Sequence, residues 1–111
     1  MDAKTIRVYW RNAKTGWFNF NWDGTIYPDS VIHISTAEIQ MASHSIAGIA
    51  DVWRYRGLAT IGVKNIRPHG PNPGDTITGG VEFYLQIDCN TPINIATDIT
   101  VFRKPDQTTM V

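Results

Sequence analysis

The sequence is short of cysteine, of net charge and of long apolar runs, and each shortage removes a class of protein. Cys89 is the only cysteine in 111 residues, so no intramolecular disulfide can form and a thiolate zinc site would lack partners. Lys plus Arg and Asp plus Glu number 10 each. That balance argues against a nucleic-acid partner, which calls for a basic excess to neutralise phosphates, and gives no electrostatic draw to an anionic membrane. No apolar stretch approaches the ~20 residues of a membrane span. The residues before Ile6 carry no apolar leader. A cytoplasmic protein, or one released without a signal peptide, is the expectation.

Catalytic signatures are missing as well. His33, His44 and His69 show neither HxH nor HExxH spacing, and no phosphate-cradling glycine loop or nucleophile elbow is present. Asp88 and Asp98 are the nearest thing to an acid–base or calcium pair. The strand register anticipated below separates them and gives Asp98 to Tyr84 instead. These observations point to a non-enzyme without metal or cofactor. There is no internal repeat.

What the chain does have is alternation. It is 42% hydrophobic, enough for a core, and holds four Trp, four Tyr and four Phe. At this length it fits one domain, read as residues 1–104 with a loose tail at 105–111. In the first segment Ile6, Val8 and Trp10 share one face, with Arg7, Tyr9 and Arg11 on the other. After a turn-rich stretch, Phe18, Phe20 and Trp22 alternate with Trp17, Asn19 and Asn21. A hairpin pairing Arg11 with Trp17, Trp10 with Phe18 and Val8 with Phe20 keeps both faces intact. Val31–Ser35 reads as a short strand. Ser35 and Glu38 then have capping-box spacing, which allows one short helical turn near 36–45, although Ile39 and Met41 also fit an irregular strand. Residues 52–56 and 59–66 read as strands. Arg67–Gly80, with three Pro and four Gly, reads as a long loop.

A second hairpin is expected from Val81, Phe83, Leu85, Ile87 and Cys89, whose parity continues through Ile93, Ile95, Thr97, Ile99 and Val101. It pairs Phe83 with Ile99 and Leu85 with Thr97, sets Tyr84 opposite Asp98, and places Cys89 as a small core residue. About seven short strands with frequent turn signals predict an all-β fold. The class expected is a small antiparallel two-sheet β-sandwich, Ig-like or jelly-roll-like.

The first hairpin supplies the candidate site. Its outward strip would unite Arg7, Tyr9, Arg11, Trp17, Asn19 and Asn21. A Trp face packs on the C–H face of a pyranose, and amides and guanidinium groups bond its hydroxyls. A carbohydrate-binding module or small lectin is the favoured expectation. The alternative is a structural or assembly protein whose aromatic strip forms a homo-oligomer interface. Trp53-Arg54-Tyr55-Arg56 interleaves aromatic and cationic residues, a pattern that can stack bases. Without a basic excess elsewhere, the simpler expectation is that Trp53 and Tyr55 are core and the two arginines solvated.

Overall fold

A computed structural model describes residues 2–41, 52–70 and 78–111. Its described residues form seven strands and no helix: β1 (Lys4–Ala13), β2 (Gly16–Asn21), β3 (Val31–Met41), β4 (Val52–Arg54), β5 (Thr60–His69), β6 (Gly80–Asp88) and β7 (Ile93–Phe102). They build two antiparallel sheets, β1-β7-β3-β4 and β2-β6-β5, packed as a small sandwich. The alternation read from the sequence explains why. Each strand offers one apolar face, and two such sheets bury those faces against each other.

The core lies between the central strands. Val81, Phe83, Leu85 and Ile87 of β6 meet Ile95, Ile99 and Val101 of β7, joined by Ile32 and by Ile26 from the β2–β3 connection. Thr97 is fully buried among them, and its Oγ1 accepts a 2.9 Å hydrogen bond from Trp10 Nε1. A buried hydroxyl and the indole N–H of a half-buried Trp thereby satisfy each other.

Both anticipated hairpins are overturned by the pairing. β1 pairs with β7, Ile6 opposite Ile99 and Val8 opposite Thr97, whereas β2 pairs with β6, Phe18 opposite Phe83 and Trp17 opposite Tyr84. β1 and β2 therefore lie in different sheets, and so do β6 and β7. The parity was right and the partners were wrong. Inward residues keep the same parity whether two strands lie side by side or face each other across the core. This wiring selects between the two sandwich types anticipated. An Ig-like sandwich keeps its first two strands in one sheet. Here β1 and β2 sit in opposite sheets and β7 lies between β1 and β3, so the arrangement is jelly-roll-like.

Two bulges adjust the parity. In β1 the register shifts between Trp10 and Ala13, and Asn12 takes a left-handed φ of 53° while its N–H donates to Asn94 Oδ1. In β5 the shift falls between Lys64 and Arg67, with Asn65 at φ 50°. Asparagine tolerates this region better than most residues. The second bulge lets Ile61, Val63 and Ile66 pack against the core while Lys64 and Arg67 remain exposed.

Several local expectations change. Residues 36–41 continue β3 rather than starting a helical turn, because Thr36, Ala37 and Glu38 pair with Thr97, Ala96 and Ile95; residues 42–45 lie outside the described residues. The loop expected over 67–80 is shorter at both ends, since β5 runs through His69 and β6 starts at Gly80; residues 71–77 lie outside the described residues. Pro68 fits because β5 is an edge strand, where an absent N–H is tolerated. Cys89 is exposed: β6 ends at Asp88, and the Cys89 N–H turns back to the Ile87 carbonyl. Trp53 and Tyr55 are also exposed, at 49% and 44%, rather than core.

Candidate functional site

The six residues of the anticipated strip do not form one surface. Trp17, Asn19 and Asn21 lie on the outer face of the three-stranded sheet, whereas Arg7, Tyr9 and Arg11 belong to β1 in the opposite sheet, with its inward residues Ile6, Val8 and Trp10 against the core. The strip divides because β1 and β2 face each other instead of pairing.

On the three-stranded sheet, β6 brings new partners to the Trp17 half. Trp17 stands opposite Tyr84, and Tyr84 opposite Lys64. The Trp17 and Tyr84 rings meet edge-to-face at 5.4 Å, and Trp17 is 61% exposed. The next row sets Asn19, Glu82 and Arg67 side by side, with Arg67 Nη1 bonded to Glu82 Oε1. In the row beyond, Gly80 separates Asn21 from His69. With no side chain at Gly80, His69 reaches across β6, and its Nε2 lies 2.7 Å from Asn19 Oδ1. Asn19 Nδ2 in turn donates to Asn21 Oδ1 at 2.8 Å. That order makes Nε2 the donor to Asn19 Oδ1. Nδ1 is buried and has no partner among the described residues.

On the other side of the aromatic pair runs a second polar line. Lys64 Nζ donates to Gln86 Oε1 at 2.7 Å, and Thr60 Oγ1 donates to Asp88 Oδ2 at 2.8 Å. Gly62 sits opposite Gln86, and a Cβ built there would meet nothing within 4 Å. The face is thus an exposed indole held edge-on by Tyr84, flanked on both sides by amides, a carboxylate and cations that already hydrogen-bond one another. Tyr84 and Gln86 alternate with the inward Phe83, Leu85 and Ile87, so the sequence pattern alone turns them outward. What the sequence did not reveal was that β6 is the strand beside β2.

The Arg7 half is built around an ion pair. Arg7 Nε and Nη2 donate to the two carboxylate oxygens of Asp98 at 2.6 and 2.9 Å, and Arg54 Nη1 approaches Asp98 Oδ2 at 3.4 Å. The hydrogen bonds from Arg7 hold the Asp98 carboxyl below its usual range, with the charges of Arg7 and Arg54 adding to the effect. The same pairing raises Arg7. Asp98 therefore serves Arg7 rather than Tyr84. This face presents a satisfied bidentate pair beside Ser35, Thr5 and Thr100.

The remaining candidates are apart from both faces. His33 packs edge-on to Phe102 at 5.3 Å, and His44 lies outside the described residues. Asp88 and Asp98 lie in different sheets, so they do not form an acid–base pair. Among the described residues, no group of three His, Cys, Asp or Glu side chains is arranged to hold a metal, and no helix is long and apolar enough to cross a membrane. Compared with protein-family models, curated proteins and solved structures, the chain matches none.

Proposed function

We propose that the outer face of the β2-β6-β5 sheet binds carbohydrate, with Trp17 as the stacking platform. The observation that carries this reading is the exposed Trp17 ring braced by Tyr84 at 5.4 Å in the middle of a line of hydrogen-bonding side chains. A pyranose is amphipathic in the same sense. Its C–H face packs on an indole, and its hydroxyls exchange donors and acceptors with amides and charged groups. Asn19, Lys64 and Gln86 supply both kinds of group within two residues or two strands of the ring, and Asn21 extends the line along β2. A strand surface is also a stiff support for such a site, which limits the ordering cost of binding.

The test is a panel of immobilised glycans followed by titration calorimetry on any hit. Binding by the natural chain, lost on Trp17→Ala with the melting temperature nearly unchanged, is the expected result. Removing an aromatic anchor of this kind costs ~2 kcal/mol or more, roughly thirtyfold in Kd. A folded Trp17→Ala protein that binds the same glycan equally well would remove the site from this face.

A further inference from the structure

We propose that β2 is the edge through which a second copy of this chain docks, joining two three-stranded sheets into one six-stranded sheet. The proposal concerns the rim of the sandwich rather than its outer face, and it stands whether or not that face binds sugar.

The edges of the two sheets are protected unequally. An unpaired edge strand offers a row of N–H and C=O groups to any other strand, and folded proteins block such rows with charges, proline, bulges or very short strands. β5 carries Lys64, Arg67, Pro68 and a bulge. β1 carries Lys4, Arg7, Arg11 and a bulge. β4 has only three residues. β2, Gly16-Trp17-Phe18-Asn19-Phe20-Asn21, has no charge, no proline and an unbroken register with β6. Among the described residues it is the one edge without any of these devices.

The core is also open along this side. The inward side chains of β6, and of β7 from Ile95 to Val101, are buried; Trp10 of β1 and Phe18, Phe20 and Trp22 beside β2 are only half-buried, as are Ile61, Val63 and Ile66 of β5 on the far side. Trp10 and Phe18 meet edge-on at 5.1 Å at the mouth of this opening. On the far side of the sandwich, β5 packs against β3.

Charge and symmetry identify the occupant. β1 against β1 would bring arginines and a lysine together with no acid from either strand. β2 against β2 brings no charge at all. With a two-fold axis through Asn19, antiparallel pairing sets Phe18 opposite Phe20 and Trp17 opposite Asn21. Phe18 and Phe20 then meet on the core side, an aromatic cross-strand combination that favours pairing, and Asn19 meets its own copy outside. Every side chain keeps its face, as an isologous interface requires. The formal net charge of zero leaves no long-range repulsion between copies.

The experiment is sedimentation equilibrium of the full chain across a concentration series without any glycan, with amide hydrogen exchange at both ends of the series. The mass should rise from 12.5 kDa towards twice that value. The outward amides of β2 should become protected as it rises, while those of β1 and β5 stay unchanged. Asn19→Lys places two ammonium groups against each other on the axis and should weaken the dimer about tenfold or more. A monomer at every concentration overturns the proposal and leaves the edge to a strand of different origin. A dimer whose β2 amides exchange as in the monomer, or one that Asn19→Lys leaves intact, overturns it too. Should that variant fail to fold, the exchange data on the natural chain decide alone. Glycan binding enters none of these readouts, so failure of the dimer and failure of the sugar site are separable.

Discussion

At the scale of single residues, burial decides what each side chain can do. Cys89 continues the apolar parity of β6 yet stands in solvent, because the strand ends one residue earlier. Its thiol should react with a maleimide in the native state at close to the rate found in denaturant; native labelling slower by orders of magnitude would place it back in the core. Phe83 and Leu85 are the opposite case, both fully buried in the middle strand. Replacing either with Ala should cost ~2–5 kcal/mol, transfer and cavity effects together, read as a fall in the denaturant midpoint. Asp98 adds a pH dependence. Its carboxyl is held below the usual range by Arg7, so its pairing contributes fully above the ordinary carboxylate pKa. The contribution is lost as pH falls through the lowered value. The natural chain should therefore lose stability on acidification more steeply than Asp98→Asn. Parallel acid transitions for the two proteins would show that the pairing contributes nothing.

At the scale of elements, the question is which strands lie side by side. Alternation in the sequence set the inward residues correctly for β1, β2, β6 and β7, because period two follows from the pleat and is blind to the neighbour. Pairing was not legible. A short connection with turn residues serves equally for a hairpin within one sheet and for an arch between two. The end of β1 carries a bulge at Asn12, which the sequence marks only as one asparagine among turn-formers. The candidate site shared this fate: Trp17, Asn19 and Asn21 were legible as outward, and Tyr84, Lys64 and Gln86 joined them only through pairing with β6 and β5. A disulfide can read the pairing directly. In a Cys89→Ser background, Thr5→Cys with Thr100→Cys joins directly opposed positions of β1 and β7 and should oxidise readily with a native-like melt. Arg7→Cys with Asn21→Cys, opposed in the hairpin reading, should resist oxidation because the residues point from opposite faces of the sandwich. The reverse result would restore the hairpin.

At the scale of the whole molecule, the wiring governs how the chain folds. Lys4 pairs with Val101, so the first and last strands are neighbours, and β7 forms the middle of the larger sheet between β1 and β3. Among the described residues, only β3–β4 and β5–β6 unite strands that follow one another in the chain. The β1–β7 and β2–β6 pairings close long loops, and that entropy is lost before the contacts form. Folding should then be slow for so small a domain, on the millisecond-to-second scale of non-local β proteins rather than the microseconds of helical bundles. Stopped-flow Trp fluorescence on dilution from denaturant checks this, since Trp10 moves from solvent to the hydrogen bond with Thr97. Truncation follows the same logic. Removing residues 107–111, which are exposed and outside any strand, should leave the melt nearly unchanged. Ending the chain at Asn90 removes β7, and with it the partner of β1 and β3 and the ceiling over Phe83 and Leu85. That fragment should show no cooperative melt at all. A cooperative transition in the shorter fragment would mean that β2, β5 and β6 hold a core of their own, contrary to a sandwich whose two middle strands are needed together.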